Sequence, residues 1–272
     1  MGLPGGSKRF LFVEKVTNER YEKYADIIVM ENGESIEDTV RAVKEEINVG
    51  SRKMDSKHKS DTLLLAVLLS LSGGFQDAYT YVLRGNVFAN AQTGNVVFMS
   101  QRLMTGDFRG ALRYFLPLVA FASGILVAEQ IAHFFKKINK VYWRHVILIL
   151  EIIVLSIVGF LPAEFNELAN ILVSFACAMQ VQTFRSLKGH NYASTMCIGN
   201  LRSGTESLSK YLRTRNKSNI IDSLYYFGII LVFAIGAGLG SILSGYWGFK
   251  TILISSVILL LANLSMVERK SV

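Results

Sequence analysis

The chain has 272 residues and a formal net charge of +8, and 51% of its residues are hydrophobic. From residue 62 onward, long apolar runs alternate with short basic loops, and runs of about 20 apolar residues are long enough for helices to cross a bilayer. The positive charge lies mainly in these loops, which is typical of membrane proteins, and forms no nucleic-acid-binding patch. The composition therefore predicts an integral membrane protein whose partner is the lipid bilayer, with no nucleic acid.

The first 60 residues form a separate, polar segment. "RFLFVEKV" and "YADIIVM" alternate like short strands, and "SIEDTVRAVKEEI" carries apolar residues at helical spacing. About 50 residues supply only a thin core, so we expect residues 1–60 to be a small cytosolic extension that is either α/β-like or disordered. An alternative is that translation begins at Met54. "MGLPGGSKRF" lacks the apolar centre of a signal peptide.

Residues 61–272 are predicted to form an all-α, multi-span membrane domain. Two segments in this domain, 86–105 and 192–212, are too polar to face lipid, and we expect them to be re-entrant or broken. The apolar runs predict about six transmembrane helices, at 62–83, 114–135, 145–162, 168–187, 222–243 and 250–267.

An internal repeat relates the two halves of this domain. "QTGNVVFMSQRL" aligns with "CIGNLRSGTESL", and the same shift places Asp77 over Gln182. "YFLPLVAFASGILVA" then aligns with "YFGIILVFAIGAGLG", and "HVILILEIIVLSIVGF" falls opposite "FKTILISSVILLLANL". Three matches in the same order indicate a duplicated unit, with repeat one at 62–162 and repeat two at 168–267. With three spans in each unit, the second copy is inverted relative to the first.

An alternative is that both polar segments also cross, which gives eight spans and a parallel repeat. The loop at 136–144 carries four Lys and Arg residues. It faces the cytoplasm in the six-span arrangement with both termini inside, and it faces outward in the eight-span arrangement, against the positive-inside rule. We therefore favour six spans with two re-entrant or broken segments.

The stretch "GGFQDAYTYVLRGNVFANAQTGNVVF" combines a "G-F-x-D-A" motif with "T-G-N" some fifteen residues later. In these motifs the region 62–267 resembles the YoaK-like family of uncharacterised bacterial integral membrane proteins. The chain departs from the family pattern at Arg84 and at the polar 90–92, which disfavours an eight-span arrangement. The resemblance implies a multi-pass protein of the bacterial cell (inner) membrane, and it implies no particular function.

Several polar residues lie where lipid or a packed interior is expected. Asp77 lies about fifteen residues into the first span, where a carboxylate costs a few kcal/mol unless it faces a partner or water; Arg84, two turns on, could pair with it. Glu151 is predicted to lie roughly 9 Å deep in its span. The remaining candidates are polar residues and motif glycines at corresponding places of the two repeats: Thr93, Gly94, Asn95, Gln182, Gly199 and Asn200.

Each Gly-Asn pair could open a half-helix whose free N–H groups and positive dipole end would bind an anion or a carboxylate. The alternative is a tight re-entrant turn with no ligand. The small residues Gly124, Gly236, Gly238 and Gly240 recur at helical spacing, and we expect them to permit close helix packing.

The first functional hypothesis is a transporter or permease for a small solute or ion, with its site between the two repeats. Asp77, Thr93, Gly94, Asn95, Gln182, Gly199 and Asn200 would line the site, and Asp77 or Glu151 could couple transport to protons. The alternatives are a non-catalytic membrane scaffold or sensor and, more remotely, an intramembrane enzyme.

No HExxH, GxSxG or Walker A motif occurs, so we do not expect an enzyme or an ATP-driven pump. We also expect no cofactor and no metal, because Cys177 and Cys197 lack partners at ligand spacing. A homo-oligomer is compatible with the sequence.

Overall fold

The computed structural model describes residues 63–136, 142–187, 190–191 and 197–266. The chain divides into two units, Met1–Lys59 and Ser60–Val272, and the described residues all belong to the second unit. The predicted N-terminal extension and the centre of the basic loop at 136–144 lie outside the described residues.

The described part of the chain is helical, which confirms the predicted all-α class. Each predicted apolar run coincides with a helix, and each polar segment contains one. The helices are α1 Leu63–Leu83, α2 Gln92–Met104, α3 Phe108–Lys136, α4 Tyr142–Val158, α5 Asn166–Thr183, α6 Cys197–Thr214, α7 Lys217–Trp247 and α8 Ile252–Ser265. Short 3-10 turns lie at Ala163–Phe165 and Gly248–Thr251, and β1 Ser186–Leu187 pairs antiparallel with β2 His190–Asn191.

Three stretches of the described chain are long and apolar enough to cross a membrane. They are Leu63–Leu83, Phe108–Phe135 and Lys217–Ser265, the last of which contains both α7 and α8. Large apolar side chains such as Leu126, Leu231 and Leu264 point outward from these stretches and are at least 60% exposed. Because a soluble fold rarely leaves so much apolar surface uncovered, these features support a membrane protein.

Glycines allow two pairs of helices to pack with their backbones almost in contact. A Cβ atom at Gly236 of α7 would lie 2.2 Å from the carbonyl oxygen of Leu71 in α1, and one at Gly74 would lie 2.0 Å from that of Phe233. Likewise, a Cβ atom at Gly124 of α3 would lie 2.4 Å from the carbonyl oxygen of Phe175 in α5. Close packing is therefore confirmed at Gly124, Gly236 and Gly240. The same prediction for Gly238 is wrong, because among the described residues nothing lies within 4 Å of a Cβ atom there.

One end of the bundle gathers the last residues of α1 and α4 and the first residues of α5. There the guanidinium of Arg84 donates to the carbonyl oxygen of Val158 at 2.9 Å and to Asn166 Oδ1 at 2.9 Å; we call this the Arg84 end. At the opposite end, His145 near the start of α4 is hydrogen-bonded to Asn263 near the end of α8. Helices α1 and α4 therefore run toward the Arg84 end, and α5 and α8 run away from it.

Helix α2 starts inside the bundle, because the loop after Arg84 turns back along α1. The side-chain amide of Asn90 donates to the carbonyl oxygen of Gly73 at 3.2 Å, about 15 Å along α1 from its C-terminal end. The helix then returns to the Arg84 end, where Arg102 lines the same pocket as Glu167 of α5. Thus α2 begins beside the middle of α1 and ends where α1 ends.

Helix α6 folds back against the first half of α7. Ser223 Oγ donates to the carbonyl oxygen of Gly204 at 2.8 Å, and a short turn joins the two helices. Asn216 caps α7 by accepting a hydrogen bond from the backbone N–H of Ser218 at 3.0 Å, as N-cap asparagines do. The two helices therefore run antiparallel, and Asn200 in the first turn of α6 is buried.

Candidate functional site

Asp77 lies in the interior of the bundle, directly before the N-terminal end of α2. Its side chain is only 6% exposed, and its Oδ1 atom accepts a hydrogen bond from the backbone N–H of Asn90 at 2.7 Å. Asn90 in turn donates to the carbonyl oxygen of Gly73. The carboxylate thus binds a backbone N–H of the loop just before α2, close to the positive dipole end of that helix.

Arg84 does not pair with Asp77, and the expectation that these two residues form an ion pair is wrong. The Arg84 side chain is fully buried and donates at 2.8–3.3 Å to the hydroxyl of Tyr79, to Asn166, and to carbonyl oxygens of Val158, Leu161 and Pro162. Its guanidinium also lies 4.0 Å from the centre of the Phe249 ring. The reason is geometric: the carbonyls that end α4 meet Arg84, whereas Asp77 faces the loop before α2.

The Thr93-Gly94-Asn95 motif lies within the first turn of α2. Asn95 is fully buried; its Oδ1 atom accepts from the N–H of Phe88 at 3.0 Å, and its Nδ2 atom donates to the carbonyl oxygen of Phe88 and to Gln92 Oε1, both at 2.8 Å. Gly94 leaves room for the Phe88 ring, since a Cβ atom there would lie 2.8 Å from it. The motif therefore fastens the preceding loop to its own helix, and Thr93 is exposed.

The candidates in the second half occupy different surroundings. Asn200 is buried in the first turn of α6, and a Cβ atom at Gly199 would meet none of the described residues within 4 Å. Gln182 donates to Glu129 of α3 and lies away from Asp77, because its neighbour Gln180 donates to the carbonyl oxygen of Leu69, two turns before Asp77. The structure therefore does not bring Gln182 and Asp77 together.

A second polar cluster adjoins Asp77. It contains Glu151, which the sequence analysis names, and Gln76 at its centre, which the sequence analysis missed. Gln76 joins side chains of four helices: its Nε2 atom donates to Ser72 Oγ at 2.9 Å, Ser255 Oγ at 3.0 Å and Glu151 Oε1 at 3.2 Å, and its Oε1 atom accepts from Cys177 Sγ at 2.6 Å. The spacing of Ser72 and Gln76, one helical turn apart and next to Asp77, is a signal that could have revealed it. We call these five residues the Gln76 cluster.

Comparison with family models identifies the chain. Residues 65–265 match the model of a protein of unknown function, DUF1275. The chain belongs to the DUF1275 family. This match covers nearly all of α1 to α8, and the YoaK-like resemblance is consistent with it. Neither the comparison with curated proteins nor that with solved structures finds a match.

Two carboxylates are buried in this DUF1275 protein: Asp77 of α1, which binds the loop before α2, and Glu151 of the Gln76 cluster. Glu151 is fully buried, and its Oε2 atom has no hydrogen-bond partner among the described residues. The Cys177 thiol lies within electrostatic range of Asp77 and Glu151, and Cys197 at the start of α6 lies within range of Asp77. The loop before α2 therefore contacts Asp77, and the start of α6 lies within electrostatic range of it.

This arrangement can accept a proton, a cation or a hydrogen-bonding solute. Among the described residues, no group of three or more His, Cys, Asp and Glu side chains could hold a metal ion. The DUF1275 family has no known function, so membership assigns no role to any of these side chains.

Proposed function

We propose that the chain crosses the membrane six times, through α1, α3, α4, α5, α7 and α8, and that α2 and α6 are re-entrant. The direction of the helices supports this topology, because α1 ends, and α5 begins, at the Arg84 end. Helix α2 returns to the end of the bundle from which its loop entered, and irregular backbone at membrane depth is tolerated where it is buried in protein. In this proposal both termini lie in the cytoplasm and the protein belongs to a bacterial cell membrane.

We further propose that the six spans form two inverted three-span repeats. In the sequence alignment Gly124 of α3 corresponds to Gly236 of α7. Each of these glycines packs on a helix of the other half, against Phe175 of α5 and Leu71 of α1 respectively. Helices α2 and α6 enter from opposite ends of the bundle, as an inverted repeat requires.

The function that this geometry supports best is passage of a small solute or ion through the centre of the bundle. The observation that carries the proposal is the buried Asp77 carboxylate, which binds the loop before α2 inside the bundle. Ionisable residues inside a membrane bundle commonly mark ion or substrate paths, and discontinuous helices form the binding sites of many transporters. We assign the substrate contacts to Asp77, the loop before α2, the start of α6, and the Gln76 cluster.

Within this site Glu151 is the second group that could carry a proton. Its unpartnered Oε2 atom can take up a proton without breaking a hydrogen bond. Gly94, Asn95 and Gln182 take a supporting place in the proposal, because Gly94 and Asn95 contact Phe88 and Gln182 contacts Glu129. Thr93 is exposed and takes no part in the site. The site binds and passes its solute, and the proposal includes no catalytic step.

Cysteine labelling tests the topology. In a variant whose native cysteines are replaced, we expect Glu164→Cys, in the turn before α5, and Lys217→Cys, at the start of α7, to lie on opposite sides of the membrane. A membrane-impermeant maleimide added to intact cells should then label only one of them, and permeabilised cells should label both. Labelling of both or of neither in intact cells would place them on the same side, as eight spans require, and would refute six spans.

A ligand screen tests the function. Because a ligand that binds only the folded protein raises its apparent stability by about 2.7 kcal/mol at a hundredfold excess over Kd, we expect at least one ion or polar solute to raise the Tm of the purified protein. Asp77→Asn should abolish that increase, and the exposed carboxylate variant Glu164→Gln should retain it. The solute should also enter liposomes that contain the protein; a stabilising solute that never crosses would contradict the proposal.

A further inference from the structure

A basic pocket lies at the Arg84 end, apart from the proposed solute site. Its volume is about 280 Å³, and it is bounded by the end of α2, the start of α3 and the start of α5. Its polar and charged side chains are Arg102, Asp107, Arg109, Arg113, Tyr114 and Glu167. We refer to it as the arginine pocket.

Asp107, in the loop between α2 and α3, already has a partner for each of its carboxylate oxygens. Asp107 Oδ1 accepts from the backbone N–H of Gly110 at 2.8 Å, as an N-cap of α3, and its Oδ2 atom accepts from Arg102 Nη1 at 3.0 Å. The hydrogen bond from the Gly110 N–H is the main reason that the pKa of Asp107 lies below its ordinary value. The positive charges of Arg102 and Arg113 lower the pKa further. This carboxylate therefore stays ionised near neutral pH and serves the fold of the loop.

Two arginines of the pocket are available to bind a ligand. Arg109 and Arg113 are one helical turn apart on α3, so their side chains share a face, and both are exposed. Among the described residues neither has a hydrogen bond or an ion pair, although Glu167 lines the same pocket. Three arginines against two carboxylates leave a net positive pocket, and the planar guanidinium fork of arginine suits phosphate oxygens.

The surroundings of the pocket are apolar. Met104 and Phe108, on either side of the loop that carries Asp107, are 88% and 73% exposed. Leu112 and Phe115, next to Arg113, are 49% and 47% exposed. A phosphate-binding pocket flanked by exposed apolar side chains matches a lipid, whose headgroup is charged and whose chains are not.

We propose that the arginine pocket binds the phosphate group of an anionic phospholipid, with Arg109 and Arg113 as its main contacts. The lipid would lie with its headgroup against α3 and α5 and its chains along the exposed apolar side chains. Each arginine near an anionic lipid surface contributes enough to change affinity severalfold.

Lipid binding to the purified full chain tests the proposal. By native mass spectrometry we expect phosphatidylglycerol to bind better than phosphatidylcholine, and the double variant Arg109→Gln/Arg113→Gln to lose at least about tenfold in phosphatidylglycerol affinity. The matched control, Arg202→Gln/Arg213→Gln, removes two exposed arginines from α6 and should bind as the wild type does.

Two further arms separate the lipid from a free anion. Inorganic phosphate and glycerol phosphate, added at concentrations that saturate a soluble phosphate site, should not displace phosphatidylglycerol. Displacement by either compound would overturn the lipid as the ligand. Equal affinity of the wild type and the pocket variant for phosphatidylglycerol, with both variants folded by thermal unfolding, would overturn the pocket.

Discussion

Replacing Arg84 with methionine should destabilise the folded protein by about 3 kcal/mol or more, because each buried acceptor left without a donor costs about 1–3 kcal/mol. Methionine fills much of the space but donates nothing to the carbonyl oxygen of Leu161, the Tyr79 hydroxyl or Asn166 Oδ1, all of which now accept from Arg84. The carbonyl oxygens of Val158 and Pro162 would keep their backbone N–H donors. For a chain of this size we expect a Tm about 10 °C lower. Thermal unfolding of the purified protein in detergent measures the effect.

The conservative variant and a surface control separate geometry from charge. Arg84→Lys keeps a positive charge near the end of α4 but has no planar fork to reach Tyr79 and Asn166 together. It should therefore lose stability as well, though less than Arg84→Met. Arg202→Met, at an exposed position of α6, should leave the Tm nearly unchanged. If Arg84→Met were as stable as Arg202→Met, the bonds of Arg84 would contribute little to the fold.

The helices could be predicted from the sequence because each apolar run is long and nearly free of charge. Their ends could not, because a helix continues for several residues beyond the hydrocarbon. Thus α7 extends from Lys217 to Trp247 instead of covering 222–243, and α3 begins at Phe108 instead of residue 114. The two polar segments also stand out in the sequence, because they interrupt an otherwise regular series of apolar runs.

The partners of the buried polar residues were harder to predict. Asp77 stands out as an isolated carboxylate in an apolar run, but it binds a backbone N–H of Asn90, and a backbone group has no signature in the sequence. The same holds for Arg84, whose carbonyl partners come 74 to 78 residues later. Their opposite charges suggested that Asp77 and Arg84 pair. Instead, the loop before α2 binds Asp77, and the end of α4 binds Arg84.

Replacing Gly236 with alanine should be strongly destabilising, whereas Gly238→Ala on the same helix should be harmless. The added Cβ atom at Gly236 would lie 2.2 Å from the backbone oxygen of Leu71, and nothing lies within 4 Å of a Cβ atom at Gly238. Overpacking of this kind costs about 1–3 kcal/mol, and a backbone oxygen cannot move aside as a flexible side chain can. At Gly238 alanine should add up to about 1 kcal/mol through its helix propensity.

Thermal unfolding and gel filtration of the two variants measure the contrast, and each serves as the control for the other. An equal Tm in both would mean that α1 and α7 adjust freely and that their close approach is not required for the fold. The contrast also tests which glycines of the run "GAGLG" contact α1. Gly236 and Gly240, four residues apart, face α1, and Gly238 between them does not.

The double variant Gly74→Ala/Gly236→Ala shows whether the two glycines act through one interface. A Cβ atom at Gly74 would lie 2.0 Å from the carbonyl oxygen of Phe233, on the same contact between α1 and α7. If the helices must separate to admit one methyl group, that separation also makes room for the second. The combined loss of stability should then be smaller than the sum of the two single losses, as expected for coupled sites. Additive losses would mean that the helix pair deforms separately at each position.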